Sequence, residues 1–441
     1  MHDTDDRTLT ERLAALLDHL GLPVAHIATQ IPADVAGLAI AHPERIAGLV
    51  FCTPTRLDAS SFDAQAERLL MIAGELGATL GVTQRAAKRL PGATLHVLAD
   101  YDAPGWADVA VDRGKEIVGW MCEFLGALPQ VAIPIPVAAA GTHAGITYWI
   151  EGSGPALLLL PFFLAPSQWA PVVPALAEHF TVITLGGRHI GGVAALEDRA
   201  RAPSYRGMLR NLFDVIAPVA GETVLDVGCG SGALDRLLAH RYGAANPITA
   251  TDLNPFLLSE AAVLVADEGL GANIQFQQAN AEALPYPDAA FDCAFSVTVL
   301  EECDADRALA ELWRVVRPGG RVGVIVRAID LPQWWNLALP EALREKVSIS
   351  AQSVGARGVA DASLYRRMRE AGFVNLTCFP SLVTLDRPDG PIWRYREDHV
   401  LSSLSPEETA VWRAATADAR RGGGLFMAHP MHCVVGVKPA S

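Results

Sequence analysis

The chain has 441 residues, 51% hydrophobic and 19% charged, with 49 acidic against 35 basic side chains and a formal charge of −14. So much apolar content with so little charge excludes global disorder, and the acid surplus speaks against a nucleic-acid binder, which would carry a basic footprint. At about 150 residues per domain the length predicts two or three domains, each able to bury a core without staples. The strongest apolar run, Ala156 to Ala165, is strand-sized and far below the ~18 residues a membrane helix needs, so no membrane partner is expected. The polar, acidic N-terminus shows no signal-peptide pattern, and the seven cysteines form no C-x-x-C pair. Both features predict a cytoplasmic protein with reduced thiols and no metal centre.

In chain order, Leu9–Leu20 has helical period and precedes a strand near Val24–Ala28. A second helix ends at His42-Pro-Glu-Arg-Ile46 and a strand follows at Ala47–Cys52. Another strand, Leu69–Glu75, leads to Leu90–Leu98 and a helix near Val111–Leu128. Residues 126–144 carry Pro129, Pro134 and Pro136 without helical or alternating period, which predicts an extended linker over 129–144. After it come Gly145-Ile-Thr-Tyr-Trp-Ile-Glu-Gly-Ser-Gly-Pro155, an apolar strand, Gln168-Trp169, and a strand at Thr181–Leu185. Residues 186–204, rich in Gly, Arg and Ala, read as a second linker. The expected segments are 1–128, 145–200 and 201–441.

The order of elements in 1–128 resembles the second half of an α/β-hydrolase domain, with its lid reduced to about 55–68, and 145–190 resembles the first half. The resemblance implies either a circular permutation bridged by the Pro-rich stretch or a domain swap between two chains; nearby termini make the permutation permissible. The family's catalytic signature is missing. In Ile27-Ala-Thr-Gln-Ile31, Thr29 takes the nucleophile position among bulky neighbours, where a strained elbow needs glycines. The acid position falls on Gly77, the histidine on Ala103 (Asp102 with a one-residue slip), and the oxyanion donors on Pro161-Phe162. A non-catalytic scaffold follows, serving as a homodimer surface or as the wall of a neighbouring pocket.

The remainder is denser in chemistry. Thr223–Val227 is a short apolar strand, and Gly228-Cys-Gly-Ser-Gly232 leads into a helical stretch through His240. Strand, glycine turn and helix N-terminus bring backbone N–H groups close to a ligand. The strand Ile248–Asp252 ends in an acid about 20 residues on, placed to accept two ribose hydroxyls. The helix Pro255–Asp267, strand Ile274–Gln278, strand Asp292–Ser296, helix Asp304–Val316 and strand Val322–Val326 continue the alternation. A parallel sheet with ligands outside its carboxyl ends is predicted.

Val224-Leu-Asp-Val-Gly-Cys-Gly-Ser-Gly232, Asp252-Leu-Asn254, Asn280-Ala-Glu-Ala-Leu-Pro-Tyr-Pro-Asp-Ala-Ala-Phe-Asp292 and Arg317-Pro-Gly-Gly320 resemble, in that order, the motifs of class I S-adenosylmethionine-dependent methyltransferases. The likeness is to the small-molecule branch that includes the ubiquinone/menaquinone-biosynthesis enzymes. It covers about 205–441 and implies a Rossmann-like seven-stranded sheet, S-adenosyl-L-methionine as cofactor, and a small organic acceptor methylated on oxygen or nitrogen. By resemblance, Gly228, Gly230 and Gly232 pass the methionine and ribose portions, Asp226 faces the amino group, Asp252 holds the ribose, and Leu253 lies on the adenine. Asn280 stands where the family usually has Asp, its carbonyl still able to accept from the adenine amino group, with Ala281 beside the ring. Ser296 falls next to the methionine part. Tyr205 and Arg206 either contact the cofactor carboxylate or form a solvated helix start.

Acceptor chemistry is less defined. Positioning alone supplies much of a methyl transfer, and a base is needed only when the acceptor must lose a proton. Glu302 stands where relatives carry a histidine and is either that base or one of two acids favouring a helix start. In this fold the last strand, read at His432–Val437, runs antiparallel and brings His429 and His432 to the site's mouth. Trp334 and Trp335 suit an apolar acceptor wall. A helical insertion at 388–425 offers Trp393, Tyr395 and Trp412 as further lining.

Overall fold

The computed structural model describes residues 7–102, 109–129, 135–162, 165–349, 354–388 and 390–440. Ala103 and the middle of the Pro-rich stretch, 130–134, lie outside the described residues, as does the side chain of Tyr395. The chain forms two compact units, one of residues 1–195 with 389–404, the other of 196–388 with 405–441.

The first unit is an eight-stranded sheet. Its strands are β1 (Ala25–Thr29), β2 (Ile46–Cys52), β3 (Leu69–Leu76), β4 (Thr94–Asp102), β5 (Ala140–His143), β6 (Ile146–Gly152), β7 (Ala156–Leu159) and β8 (Thr181–Gly186). Their spatial order is β4-β3-β2-β1-β7-β8-β6-β5. Every pairing from β4 through β8 is parallel, whereas β6 runs antiparallel to both β8 and β5. The chain therefore starts mid-sheet, winds out to one edge, and re-enters at the other. All of β1 is buried, as a strand covered on both faces must be. Ile27 and Phe51 join one apolar layer, Ala28 and Val50 the opposite one. The helix Leu9–His19 covers the first layer with Leu9, Leu13, Leu16 and Leu17, its start fixed by a capping box between Thr8 and Glu11.

Two linker expectations need correction. Ala140–His143, at the end of the Pro-rich stretch, is the edge strand β5, paired with β6. Within 186–204, Gly191–Arg201 is a helix, because the glycines give way to the helix formers Ala-Ala-Leu-Glu-Asp-Arg-Ala. The helix Pro391–Ser403, expected inside the second segment, packs on Ala33–Ala41 in the first unit.

The second unit has a nine-stranded sheet. It comprises β9 (Val224–Val227), β10 (Ile248–Asp252), β11 (Ile274–Gln278), β12 (Phe291–Val297), β13 (Val316–Arg327), β14 (Trp334–Trp335), β15 (Val374–Cys378), β16 (Ser381–Leu385) and β17 (Met427–Val437). The order β11-β10-β9-β12-β13-β17 is parallel up to β13, and β17 runs antiparallel to β13, β14, β15 and β16. Strand order reverses at β9, whose neighbours are β10 and β12, so a crevice opens outside their carboxyl ends. Helix Ala305–Val315 seals one face with Ala305, Ala308, Leu309, Leu312 and Val315. The last strand starts five residues before the expected His432, at Met427. Pro430 marks a break in sequence, yet its carbonyl accepts the Ala328 amide at 3.0 Å and keeps the strand in the sheet.

Candidate active site

The switch-point crevice begins where β9 ends. Gly228, Gly230 and Gly232 have φ of 79°, 56° and 73°, left-handed values that glycine alone adopts without cost. A Cβ at Gly228 would lie 2.1 Å from Val299 Cγ2, so the turn must be bare. The amides of Gly228 and Cys229 donate to the Thr251 carbonyl of β10 at 2.7 and 2.8 Å. The Gly230 amide donates to Asp252 Oδ2 at 2.9 Å, and the Asn254 amide to Oδ1 at 2.9 Å. A carboxylate can accept about four donors, so Asp252 retains capacity for a further one. Burial raises this carboxyl against those amides, which lower it. Asn254 caps the helix Pro255–Asp267 by accepting from Phe256 at 2.9 Å.

Beneath the turn lie Asp226, 2% exposed, and Asp235, 0% exposed. Burial raises both carboxyls, and for Asp226 the negative Asp235 and Asp252 add to the effect. Tyr205 is buried, with the Arg199 guanidinium 4.9 Å from its ring centre, and its hydroxyl is pushed up by burial. Ser296, next to last in β12, is fully buried and its Oγ has no partner among the described residues. Glu301 is also fully buried; its Oε1 accepts the Arg327 amide at 2.7 Å and lies 3.3 Å from Arg327 Nε, while Oε2 is buried without a partner among the described residues. A bare glycine cradle and buried polar atoms awaiting partners are what a hydrogen-bonding ligand would complete. A support holds the turn from behind: Glu197 accepts Ser231 Oγ at 2.6 Å and Arg236 Nη2 at 2.7 Å, and Arg236 Nη1 reaches the Ser231 carbonyl at 2.7 Å.

Leu253 is 65% exposed at the rim. Asn280 is exposed, and its Oδ1 accepts the Glu282 amide at 2.9 Å, which leaves one lone pair for a ligand; Ala281 beside it is half-buried.

Several expected acceptor-site residues sit differently. Arg206, expected at the cofactor carboxylate, is exposed near the helix start, one position past buried Tyr205. Glu302 is paired with Arg327 Nη2 at 2.6 Å and its side chain is 39% exposed, so Glu301 is the buried member of the two. His432 is held at both ring nitrogens, by Tyr365 Oη at 2.9 Å and Asp330 Oδ1 at 2.8 Å, and neither nitrogen is left for a substrate. His429 is buried in β17 opposite Val383. Trp335 is buried edge-on against Trp412, ring centres 4.9 Å apart, which makes it core; Trp334 is 53% exposed beside Phe426. Trp393 is buried in the first unit's helix Pro391–Ser403.

Asp235, Glu301 and the Glu197–Arg236 support were not singled out from the sequence. Asp235 did carry a signal, since it shares a helical stripe with buried Leu238 and Ala239. Among the described residues no group of three or more His, Cys, Asp or Glu could hold a metal ion, and no helix is long and apolar enough to cross a membrane.

Residues 225–324, from β9 into β13, match the family model described as "Methyltransferase domain". The chain is 41% identical over 107 residues to the ubiquinone/menaquinone biosynthesis C-methyltransferase of Hahella chejuensis, covering 24% of this chain and 43% of that protein. Identity to the enzyme of the same name from Marinomonas sp. is 37% over 107 residues, with the same coverage. The chain thus spans less than half the length of these curated relatives. Among solved structures, the YcgJ protein of Bacillus subtilis is similar with 18% identity and a TM-score of 0.36, over 54% of this chain and 100% of that one. The geranyl diphosphate C-methyltransferase of Streptomyces coelicolor gives 16% and 0.33, over 53% and 76%. The second unit, by its family match, contains a methyltransferase domain.

Proposed function

We propose that the protein transfers a methyl group from S-adenosyl-L-methionine to a small organic acceptor. The observation that carries this reading is the Gly230–Asp252 closure: a glycine turn with no room for a Cβ at Gly228, fastened to the acid that ends β10. Asp252 would receive the ribose hydroxyls, Asp226 would face the amino group, Leu253 and Ala281 would flank the adenine with Asn280 accepting from it, and Ser296 and Tyr205 would close the methionine end. Bound there, the cofactor supplies a methyl group on a positively charged sulfur. The chain's own part is to aim that methyl at the acceptor and keep water out, which by itself supplies much of the rate.

For the acceptor atom we now favour carbon over the oxygen or nitrogen first expected, because the relatives matched at 37–41% identity are named C-methyltransferases. Carbon becomes nucleophilic next to an ionised hydroxyl, so a phenol or enol acceptor and a buried proton acceptor suit one another. Glu301 Oε2, buried and without a partner, is the group here for that task.

The first unit we read as a permuted α/β-hydrolase-like scaffold without hydrolytic activity, with 1–128 as its second half and 145–200 as its first. The order β4-β3-β2-β1-β7-β8-β6-β5, with antiparallel pairing confined to β5 and β6, supports the architecture. Against hydrolysis stand fully buried Thr29, whose Oγ1 is spent on the Ile31 amide at 2.9 Å, and the absence of any positive φ at 29–31.

Calorimetric titration with S-adenosylmethionine tests the cofactor reading, and labelled-methyl transfer to a panel of phenols, enols and amines tests the acceptor. Absence of cofactor binding overturns the proposal. Label on oxygen or nitrogen, read by carbon-13 resonance of the product, overturns the choice of carbon.

A further inference from the structure

The cofactor contacts above do not use Arg199, which stands in the last turn of the helix Gly191–Arg201. Its Nε is withdrawn from water and has no hydrogen-bond partner among the described residues. The guanidinium lies 4.9 Å from the ring centre of buried Tyr205. Among the described residues it forms no ion pair with a carboxylate. The two acids beside it on the helix are engaged elsewhere. Glu197 holds Ser231 Oγ at 2.6 Å and Arg236 Nη2 at 2.7 Å, and Asp198 pairs with Arg387 Nη1 at 3.6 Å. A guanidinium drawn out of water without an anion is a costly arrangement, since buried charges are normally paired.

Its place in the fold points to the anion. The helix backs onto the glycine turn: a Cβ at Gly230 would lie 3.1 Å from Leu196 Cδ1, and Glu197 grips Ser231 in the same turn. Arg199 follows Leu196 by three residues, so the two share one face of the helix. Burial raises the Tyr205 hydroxyl; Arg199 draws it down, and the negative Asp226 and Glu301 add to the rise. Acids in this corner suit a positive amino group and a positive sulfur. The remaining charge on a sulfonium amino acid is its carboxylate, and Arg199 is a cation at the turn with no carboxylate of its own among the described residues.

Resting on the cofactor reading above, we propose that Arg199 binds the carboxylate of S-adenosyl-L-methionine, with the Tyr205 ring as the platform beneath its guanidinium. A guanidinium fork offers parallel N–H donors to both oxygens of a carboxylate, a match that an ammonium cannot make. The contact with Tyr205 restrains the side chain before the ligand arrives, so less freedom is lost on binding. Arg206, the arginine first expected here, is exposed one position past Tyr205. The grip on the cofactor's amino-acid end thus comes from a helix upstream of residues 225–324, the stretch that matches the family model.

The test is titration calorimetry of the full chain with S-adenosylmethionine and with decarboxylated S-adenosylmethionine. The second ligand keeps the adenosine, the sulfonium and the amino group and lacks the carboxylate. Wild type should prefer the carboxylated ligand about 10- to 100-fold, as charge-assisted hydrogen bonds allow. Arg199→Gln should lose that preference through weaker S-adenosylmethionine binding alone, with the decarboxylated ligand bound as before. Arg199→Lys, which keeps the charge but not the fork, should retain part of it. A wild-type ratio near one, an equal loss for both ligands in Arg199→Gln, or a preference that survives in Arg199→Gln each overturns the assignment. A preference lost in Arg206→Gln instead gives the carboxylate to Arg206 and overturns it too. Failure of wild type to bind either ligand is a different result, which overturns the cofactor reading itself. Should Arg199→Gln fold poorly, Arg199→Lys and the wild-type ratio still decide.

Discussion

Asp252 accepts the Gly230 amide at 2.9 Å, so the acid that ends β10 also shapes the turn that ends β9. Replacing it removes a ligand for the ribose and a strut for the glycine loop in one change. Asp252→Ala is expected to weaken S-adenosylmethionine binding at least 100-fold, from the loss of two charge-assisted bonds of about 1.5–3 kcal/mol each. Asp252→Asn, which can still accept from Gly230, should lose less. Calorimetric titration measures both, and equal losses in the two variants would count against the strut.

Glu197 supports the same turn from behind by holding Ser231 and Arg236. Glu197→Ala leaves a guanidinium 7% exposed with Glu268 as its remaining carboxylate. A cost of about 3 kcal/mol is expected for breaking such a buried pair, seen as a lowered urea midpoint for the second unit. Glu197→Gln, which can keep the Ser231 bond, should recover part of it.

His432 was a base candidate, and its ring is committed at both nitrogens to Tyr365 and Asp330. Tyr365→Phe should cost about 1 kcal/mol of stability for the hydroxyl bond lost, read by thermal unfolding, with S-adenosylmethionine affinity unmoved. His432→Gln should likewise lower the melting midpoint and leave cofactor affinity in place. A large loss of cofactor affinity in either variant would return His432 to the site.

In the first unit, Asp34 starts the helix Ala33–Ala41, 7% exposed, and burial raises its carboxyl to about 6 against the influence of Arg394 and the Gly191 amide. The native carboxyl therefore holds a proton that the unfolded chain gives up near pH 4. Its stabilising contribution is complete below the unfolded value and is lost as pH rises through 6. Between pH 4 and 7 the wild type should lose roughly 2–3 kcal/mol more than Asp34→Asn, at 1.36 kcal/mol per pH unit of difference. Urea midpoints at the two pH values check it.

Much of this architecture is written in local pattern. The apolar runs of β1, β2 and β12, the Gly228–Gly232 turn and Asp252 are each readable within a few residues, since strand burial and backbone freedom are local demands. What escaped depended on distant partners. Glu301 and Glu302 are the same residue type side by side, and Arg327, contributed from β13, reaches both with its guanidinium but gives its backbone amide to the buried Glu301. In sequence the last strand reads from His432, and its first five residues are held by partners far off in sequence, such as the Ala328 amide on the Pro430 carbonyl.

The helix Pro391–Ser403 belongs to the first unit although it is encoded after most of the second. On the ribosome the first 195 residues emerge without it, and the missing piece follows only at residue 389. At about 5–20 residues per second that is a wait of roughly 10–40 s. Throughout, Ala33–Ala41 lacks the helix Pro391–Ser403 that packs on it in the finished fold. Nascent molecules thus pass through an interval in which a chaperone, or a second nascent copy, can claim that surface first.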